Sequence, residues 1–294
     1  MPVTCTKLTE TFAAEVEGID IAVGVSDTDM ADVVRLFNDF SVLVLHDQDI
    51  NDEQQIHFSR KFSELGGFGG LEGTVLTNDG AGSAIALISN VDPQTDTIIP
   101  PRDRRMIFNS GNEMWHSDSS FKRIPSTASM LSGREVPPAA GETEFASMRA
   151  AYADLSEEKK RHIDALVAIH DFAYSRGLID PTLIGEEQKR ETPPVPHAVV
   201  RTNPVNGRKN FFAGAHASYV RDLPVEDGRI LLKDLTAFAV QPPYVYTHKW
   251  RPKDLVIWDN RCCLHRGRTW DKARYRRVMH RSTVAGIGPT ALPG

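Results

Sequence analysis

The chain has 294 residues, 40% of them hydrophobic and 25% charged, which excludes disordered, collagen-like and coiled-coil proteins. The 34 Lys and Arg against 39 Asp and Glu give a net charge of −5, so the chain as a whole does not attract nucleic acid or an anionic membrane. No apolar run approaches the roughly 18 residues of a membrane-spanning helix, and three cysteines are too few for a disulfide framework. We expect a cytoplasmic protein with a small-molecule partner, no nucleic-acid or membrane partner, and a single domain over residues 1–294. Self-association into a homo-oligomer is compatible with this composition.

The N-terminal part is predicted to alternate helices and strands. Ser26 has the side chain of a helix N-cap, and the apolar spacing after it predicts a helix through about Asn38. The apolar run at 41–46 predicts a buried strand, and Asn51 is a second candidate N-cap. The sequence therefore predicts a helix, a strand and a second helix in succession.

Residues 62–105 are predicted to form a lid or loop. No Lys or Arg occurs between positions 62 and 101, and a Gly-Gly-Phe-Gly-Gly run within the segment is flexible. A linker is the alternative, but hydrophobic stretches resume on both sides and favour a lid. Arg102, Arg104 and Arg105 follow this stretch without Lys or Arg and are candidates to compensate for its lack of positive charge.

From about residue 107 onward, short apolar runs broken by Gly, Pro, Asn and Asp predict a mainly β core of the sandwich or jelly-roll type with α insertions. Residues 150–240 are predicted to be a helical insert region. Ser156 opens one helix there, with apolar residues at helical spacing through His170, and a second helix is predicted near Val225 to Val240. Further strands are predicted at 244–250, 254–258 and 277–284.

His116 and Asp118 are the first candidate metal ligands. Residues i and i+2 of an extended strand project from the same face, so both side chains could bind one ion. Two imidazoles and one carboxylate form a ligand face that holds Fe(II) and leaves positions open. The alternative is a surface turn in which Asp118 caps a loop. His162 and Asp164 have the same spacing but lie in a predicted helix, where residues i and i+2 point about 200° apart and cannot chelate.

A later segment supplies further candidates. An apolar strand runs into a polar turn and delivers His265, far along the chain from the first pair. Arg277 and Arg281 share one face of the next strand, while Arg276 and His280 share the other. Two guanidinium groups that point toward a core are unfavourable unless anions bind them. This pattern predicts a site for two carboxylates.

Several motifs between residues 114 and 283 occur in an order that is known from one enzyme family. They are Trp-His-Ser-Asp-Ser-Ser-Phe at 115–121, Gly-Glu-Thr-Glu-Phe at 141–145, Met-Arg-Ala-Ala-Tyr at 148–152, Gly-Ala-His-Ala-Ser at 214–218, Trp-Asp-Asn-Arg-Cys at 258–262 and Leu-His-Arg-Gly at 264–267. The chain resembles the Fe(II)- and 2-oxoglutarate-dependent dioxygenases of the taurine dioxygenase group, and within it the branch that acts on 2,4-dichlorophenoxyacetate. The resemblance implies a double-stranded β-helix, or jelly roll, with flanking helices.

The resemblance implies an oxidoreductase in which His116, Asp118 and His265 ligate iron. 2-Oxoglutarate and O2 would be co-substrates, with ascorbate added in vitro, and no catalytic residue beyond the metal ligands is implied. The enzyme would hydroxylate an aryloxyacetate-type acid, which then splits at its ether bond into a phenol and glyoxylate, while 2-oxoglutarate gives succinate and CO2. Such a reaction belongs to the catabolism of aromatic compounds, including herbicides.

The resemblance also assigns the carboxylate-binding residues. Thr143 and Arg277 would bind the distal carboxylate of 2-oxoglutarate, and Arg281 would bind the carboxylate of the substrate. A fixed offset from His265 would select Arg276 instead of Arg277. The string Arg-Arg-Val-Met-His-Arg-Ser-Thr sets the register, however, and favours Arg277.

For two residues near these motifs a functional and a structural interpretation are both open, and for two cysteines we favour the structural one. His216 is similar to a family position near the substrate, where its N–H could reach an ether oxygen or a carboxylate; alternatively it is a strand histidine bonded to backbone. Trp115 could form a wall of the pocket or belong to the core. Cys262 and Cys263 are interpreted as packing residues, because thiolate suits zinc or copper better than this iron site.

Two alternatives to aryloxyacetate oxidation stay open. The same iron chemistry could act on a sulfonate such as taurine, since Arg281 could bind either anion. From another class, a β-sandwich protein could bind a metal or a small acid without turnover, since a fold does not guarantee chemistry.

Overall fold

The computed structural model describes residues 2–73 and 83–290. Within these ranges, no helix is both long enough and apolar enough to cross a membrane. Strands and helices alternate in the N-terminal third, and strands dominate the C-terminal part. The chain is mainly β with helices, as the sequence predicted.

The strands of the described residues run in chain order as follows. They are β1 (Thr4–Lys7), β2 (Ala13–Glu17), β3 (Val42–Leu45), β4 (Ala86–Ser89), β5 (Ser126–Glu135), β6 (Thr143–Ser147), β7 (Val167–His170), β8 (Val195–Ala198), β9 (Val200–Thr202), β10 (Lys209–Phe211), β11 (Ala217–Val220), β12 (Val245–His248), β13 (Leu255–Asp259), β14 (Cys263–Gly267) and β15 (Val278–Ala285).

The α-helices are α1 (Asp27–Phe40), α2 (Asp52–Gly66), α3 (Arg104–Asn109), α4 (Met148–Asp154), α5 (Glu157–Ile163), α6 (Phe172–Gly177), α7 (Glu186–Glu191) and α8 (Val225–Ala239). Short 3-10 turns occupy Ser110–Glu113 and Pro242–Tyr244.

Two sheets pack face to face and enclose the interior. The larger sheet has the strand order β1-β2-β3-β13-β5-β15-β4, and the smaller one has the order β12-β6-β14. Strands alternate their side chains between two faces, so Val42 and Val44 of β3 point into the space between the sheets, where they meet Phe145 of β6. Leu43 and Leu45 point to the opposite face and pack against α1 and α2.

The two N-terminal helices begin where the sequence predicted. Ser26 accepts a hydrogen bond from the backbone N–H of Asp29, and Asn51 and Gln54 form a reciprocal capping box. Helix α1 ends at Phe40 because Ser41 takes a left-handed conformation, with φ of 72°. These caps fix the start of both helices that cover the outer face of the larger sheet.

The region 150–240 differs from the predicted helical insert. It holds helices, but β7, β8 and β11 also form a three-stranded sheet there, and β9 pairs with β10. The helix predicted from Ser156 to His170 is wrong beyond Ile163, because residues 167–170 form β7. All four residues of β7 are buried. A short apolar run of this kind has no periodicity that separates a buried strand from a buried helix.

The predicted lid segment is built in part from regular structure. Its first residues complete α2, and Ala86–Ser89 forms the edge strand β4, which pairs with β15. The backbone of Leu71 bridges to Val284 on β15. Residues 74–82 of the segment lie outside the described residues, so the lid stays a prediction.

Candidate metal centre

His116, Asp118 and His265 converge at one end of the space between the two sheets. The Nε2 atom of His116 lies 3.8 Å from Oδ1 of Asp118, and the Nε2 atom of His265 lies 3.6 Å from Oδ2 of the same carboxylate. All three side chains are buried, and one ligand atom from each lies within 4.8 Å of the others. Within residues 2–73 and 83–290, this is the one group of His, Cys, Asp and Glu side chains with such geometry.

The backbone sets the distance between the two histidines. His116 and His265 are opposite residues of an isolated antiparallel bridge and exchange both backbone hydrogen bonds, at 3.1 and 2.8 Å. Gly214 packs directly behind this bridge with φ of +112°, and a Cβ there would lie 2.7 Å from the Leu264 side chain and 3.1 Å from the Trp115 carbonyl oxygen. Glycine is therefore required at position 214 for both conformation and space.

Each imidazole is held so that Nε2 faces the carboxylate. His116 donates from Nδ1–H to the backbone carbonyl of Met114 at 2.8 Å, which leaves a lone pair on Nε2. The His265 ring packs between Trp258 and Phe145, with ring centroids 4.6 and 6.3 Å away. Burial lowers the pKa of His116 and lowers that of His265 well below its ordinary value, so both rings are neutral and able to ligate a metal near pH 7.

A chain of hydrogen bonds orients Asp118. The Asn260 side-chain oxygen accepts from the Asp118 backbone N–H and from Trp258 Nε1–H, and the Asn260 amide donates to Ser129 Oγ. The Ser129 hydroxyl donates in turn to Asp118 Oδ2 at 2.7 Å. Sequence reasoning missed Ser129 and Asn260 as supports, because they approach Asp118 only through strand pairing.

Asp118 is charged despite its burial. Burial favours the protonated acid, but the charge of Arg281 and the hydrogen bond from Ser129 act against it, and the pKa of Asp118 is well below its ordinary value. Arg281 donates from Nη1 to Asp118 Oδ1 at 2.6 Å. The site therefore offers two neutral imidazole nitrogens and one carboxylate on a buried face, a donor set that fits Fe(II) and leaves coordination positions open.

The predicted contrast with His162 and Asp164 agrees with the structure. His162 lies in the exposed part of α5, and Asp164 follows the helix and pairs with Lys209 at 3.2 Å. Equal spacing in sequence therefore produces a convergent pair only in the extended segment.

A cavity opens beside the metal-binding face and contains the predicted carboxylate-binding residues. It is lined by His116, His265, Thr143, Arg277 and Arg281 together with neighbouring side chains. Thr143 and His265 face this interior because β6 and β14 pair with Thr143 opposite Gly267, two residues beyond His265.

Arg277 points into the cavity and Arg276 points away from it. Arg277 is 4% exposed, and its side chain donates only to the Gly141 carbonyl oxygen at 3.2 Å among the described residues. Burial lowers the pKa of Arg277 to about 10, which leaves it charged near neutral pH. Arg276 instead pairs with Glu135 and Asp96 at the surface. The alternation predicted from the sequence is the one observed.

Asn90 and Trp250 hold the two candidate carboxylate-binding residues in place, and neither role was predicted from the sequence. Asn90 accepts the backbone N–H of Arg277 at 2.8 Å and donates to the carbonyls of Lys272 and Tyr275, which fixes the start of β15. Trp250 donates from Nε1–H to Thr143 Oγ1 at 2.9 Å. Because tryptophan can only donate, the hydroxyl proton of Thr143 stays available for another acceptor.

The remaining candidate residues take the following positions. His216 is buried and bonds through Nδ1 to the Ser175 hydroxyl at 2.8 Å, with its ring 6.1 Å from that of His116. This bond is to a side chain, whereas the alternative interpretation of His216 as a strand histidine expected a bond to backbone. Trp115 packs with the second hydrophobic core and under Arg266, in agreement with a core role. Cys262 and Cys263 are buried and packed in the core between the sheets.

Positive charge near the cavity comes from a different segment than the sequence suggested. Arg104 donates to the carbonyls at 182 and 183, and Arg105 pairs with Asp92 and Asp103. Neither lines the cavity at His116, so they do not supply there the positive charge that residues 62–101 lack. Lys122 and Arg123, just after the Asp118 motif, line an adjoining cavity that Arg281 also reaches.

Comparison with known proteins gives matches over almost the whole chain. Residues 4–283 match the model of the taurine catabolism dioxygenase TauD, TfdA family. The chain is 42% identical to the alpha-ketoglutarate-dependent 2,4-dichlorophenoxyacetate dioxygenase of Cupriavidus pinatubonensis, over 97% of this chain and 98% of that protein. It is 34% identical to the (S)-phenoxypropionate/alpha-ketoglutarate-dioxygenase of Sphingobium herbicidovorans, over 95% of this chain and 93% of that protein.

A solved structure has the same fold. The crystal structure of AAD-2 in complex with Mn(II) and N-oxalylglycine superposes with a TM-score of 0.90 at 40% identity and covers 99% of both chains. The family model and these relatives all span the segments that carry His116, Asp118 and His265. The chain belongs to the taurine catabolism dioxygenase TauD, TfdA family.

Proposed function

We propose that this protein is an Fe(II)- and 2-oxoglutarate-dependent dioxygenase that hydroxylates an aryloxyacetate-type acid. The product would split into a phenol and glyoxylate, with succinate and CO2 formed from the co-substrate. One observation carries the proposal: a buried His-Asp-His face with free lone pairs adjoins a cavity whose buried Arg277 has no carboxylate partner among the described residues. The relatives named for 2,4-dichlorophenoxyacetate and phenoxypropionate support the substrate class.

His116, Asp118 and His265 would hold the iron. When bound, Fe(II) supplies the oxidation of a substrate C–H bond by O2, coupled to decarboxylation of 2-oxoglutarate. The protein's own contribution is placement: the bridge between the histidines and the bond from Ser129 fix the three donor atoms before any ligand arrives.

Arg277 and Thr143 would bind the distal carboxylate of 2-oxoglutarate. A guanidinium pairs bidentately with a carboxylate, and the pairing is strong in a site from which water is excluded. Arg277 is buried and charged, and the Thr143 hydroxyl proton is free because Trp250 occupies its oxygen as a donor. The two residues lie on facing sheets, so both can contact one carboxylate.

Arg281 would bind the acid group of the substrate. It lines the same cavity as Arg277, one guanidinium for each anion, and its Nη1 atom already lies 2.6 Å from Asp118 Oδ1. A substrate acid at Arg281 would therefore lie next to the metal-binding face. Once the carbon beside the ether oxygen is hydroxylated, the hemiacetal splits without further help from the protein.

We also infer that the two facing sheets form the double-stranded β-helix of the family, and that residues 1–294 make up one domain. The face-to-face packing of the seven-stranded and three-stranded sheets around one interior supports this arrangement.

The proposed function is tested by incubating the protein with Fe(II), 2-oxoglutarate, ascorbate and O2 and a panel of aryloxyacetates and alkyl sulfonates. Succinate, phenol and sulfite are each measured. We expect succinate formation that an aryloxyacetate stimulates, with one phenol released per succinate above the background. Sulfite release without phenol release would identify a sulfonate dioxygenase instead, and no succinate with any compound would favour a binding protein.

A further inference from the structure

A cluster of aromatic rings lies against the metal-binding face on the side away from Trp258. Phe121, Phe172 and His216 contact one another, with ring centroids 4.5 to 5.9 Å apart, and the His216 ring lies edge-on to His116. Phe108 extends the cluster beyond Phe172 at 6.2 Å. Apolar side chains thus surround one side of the site, where a charged group has little access to water.

Arg176 on α6 is buried within this cluster and forms no ion pair with an acidic side chain of residues 2–73 or 83–290. It is 7% exposed, and its guanidinium lies over the rings of Phe108 and Phe172, 5.1 and 4.8 Å from their centroids. Its buried Nε–H has no hydrogen-bond partner in the described part of the chain. Stacking on aromatic faces offsets only a small part of the cost of desolvating a guanidinium with unused N–H donors.

The backbone makes room for this guanidinium at one residue. Gly111 is buried in the 3-10 turn, and a Cβ there would lie 2.2 Å from Nη1 and 2.4 Å from Cζ of Arg176. Its neighbours Asn109 and Asn112 line the same cavity as His116 and Arg281. The guanidinium therefore lies directly behind the wall of the cavity, in a position that any larger residue at 111 would displace.

Arg176 and Arg281 share one nearby anion. Asp118 attracts both guanidinium groups, and burial together with repulsion from Arg281 lowers the pKa of Arg176 to about 10. Arg176 therefore stays charged near neutral pH. A metal would bind the carboxylate of Asp118. The three positive charges of a divalent metal and Arg277 would then be balanced by Asp118 and the two carboxylates of 2-oxoglutarate. Two positive charges at Arg176 and Arg281 are then left for the substrate.

We propose that Arg176 is a substrate-binding residue that, with Arg281, forms a two-guanidinium site for the acid group of an aromatic acid whose ring packs on Phe121, which lines a cavity together with Arg281. This inference rests on the proposed function and adds to it a residue and a selectivity. The pocket selects the ionised acid and discriminates against a neutral analogue of the same shape, because an uncharged group leaves both guanidinium groups unpaired.

The inference is tested by equilibrium binding in place of turnover. The protein is loaded with Mn(II) and N-oxalylglycine, and calorimetry measures the dissociation constants of phenoxyacetate and of neutral 2-phenoxyethanol. We expect the wild type to bind the acid more tightly. Arg176→Met should weaken phenoxyacetate binding roughly 10- to 100-fold, the effect of losing one charge-assisted contact, with little change for 2-phenoxyethanol. Arg176→Lys should recover part of the acid affinity because it restores the charge.

Arg201 offers a matched control elsewhere in the molecule. Its guanidinium also stacks on a phenylalanine, 4.3 Å from the Phe212 centroid, and burial also lowers its pKa to about 10. The charges that act on Arg201 are those of Asp259 and Arg261, whereas those that act on Arg176 are those of Arg281 and Asp118. Arg201→Met should therefore leave both dissociation constants at the wild-type values. If Arg176→Met does not fold, Gly111→Ala serves in its place, because the added Cβ displaces the same guanidinium.

Each outcome decides one of the two claims. Acid affinity within twofold of wild type in Arg176→Met and Gly111→Ala would overturn the role of Arg176 and leave the proposed function standing. An equal loss for acid and alcohol would show that Arg176 acts only through packing. A wild-type protein that binds no aryloxyacid would overturn the proposed function, and the inference with it.

Discussion

Two clusters of two histidines and one aspartate lie among the described residues, and we expect only one of them to bind a metal. In the cluster of His116, Asp118 and His265, the ring nitrogens face the carboxylate at 3.6 to 3.8 Å and keep their lone pairs. In the second cluster, His46 and His248 bond to the two oxygens of Asp254 at 2.5 and 3.0 Å.

The second cluster has its hydrogen-bonding capacity filled. Asp254 also accepts the backbone N–H of Arg251 at 2.8 Å, and His248 reaches the Tyr246 hydroxyl with its other nitrogen at 3.3 Å. The carboxylate thus accepts from three donors and links the ends of β3, β12 and β13. A metal would have to displace these bonds before it could bind.

Residue type alone is therefore not sufficient for a metal site. A ligand set needs imidazole nitrogens whose lone pairs have no other partner and a backbone that holds the ligand side chains apart. The antiparallel bridge at His116 and His265 provides that separation. The predictions below test the contrast between filled and unfilled clusters, beginning with the largest expected effect.

The largest effect is expected for metal binding. His116→Ala and Asp118→Ala each remove one of three ligands and should weaken Mn(II) binding by more than about 100-fold, beyond the effect of changing a supporting residue. His46→Ala removes a histidine from the filled cluster and should leave Mn(II) affinity unchanged. Calorimetric titration of the metal-free proteins measures both. Equal losses in the two clusters would contradict the distinction.

The second largest effect is expected on the binding of 2-oxoglutarate, and it distinguishes Arg277 from its neighbour Arg276, both just before β15. Arg277→Met removes the buried charge and should raise the KM for 2-oxoglutarate by roughly 10- to 100-fold, with a smaller change in kcat. Arg276→Met breaks surface ion pairs only and should leave that KM within about twofold, as exposed pairs contribute little. Steady-state kinetics with varied 2-oxoglutarate distinguish them. A larger effect at position 276 would mean that the register is reversed.

The filled cluster should matter for stability. Asp254→Asn replaces one carboxylate oxygen with an NH2 group, so one imidazole loses its acceptor and the other keeps only a neutral one. The free energy of unfolding should fall by about 1–3 kcal/mol at pH 7. Burial raises the pKa of Asp254, but the bonds from His248 and His46 outweigh it and lower the pKa overall.

The sign of the pH dependence follows from that lowered pKa. The stabilisation is complete above the unfolded pKa of about 3.9 and is lost as the pH falls toward the folded value. Urea unfolding of wild type and Asp254→Asn should therefore differ at pH 7 and converge below about pH 4. A gap that widens in acid would contradict the assignment.

The smallest effect is expected at Trp250. Trp250→Phe keeps the ring and removes the Nε1–H that bonds to Thr143, so the hydroxyl of Thr143 loses its fixed orientation. A single neutral hydrogen bond contributes about 0.5–1.5 kcal/mol, so the KM for 2-oxoglutarate should rise roughly 2- to 10-fold with kcat unchanged. A fall in kcat with constant KM would mean that Trp250 acts on the chemical step.

The features that could be predicted from the sequence are those marked by a local pattern or by a family motif. The caps at Ser26 and Asn51 are local signals, and the alternation of Arg276 and Arg277 follows from strand geometry. His116 and Asp118 are two residues apart, so extended geometry alone brings them to one face.

Residues that meet only through folding leave no local signal. His46 and Asp254 are 208 positions apart and share no motif, so the filled cluster could not be predicted. Arg176 meets Gly111 and the ring of Phe108 only because α6 packs against that segment in the folded chain. The prediction of helix at 167–170 failed for a different reason. A buried run of four residues is too short to show the periodicity that distinguishes a strand from a helix.

The most direct test of the account is the visible spectrum of the protein under anaerobic conditions. Fe(II) and 2-oxoglutarate are added to wild type, His116→Ala and His46→Ala, and the charge-transfer band of a chelated keto acid is recorded. We predict the band in wild type and in His46→Ala and none in His116→Ala. A band in His116→Ala, or no band in wild type, would contradict the claim that residues 116, 118 and 265 hold the iron.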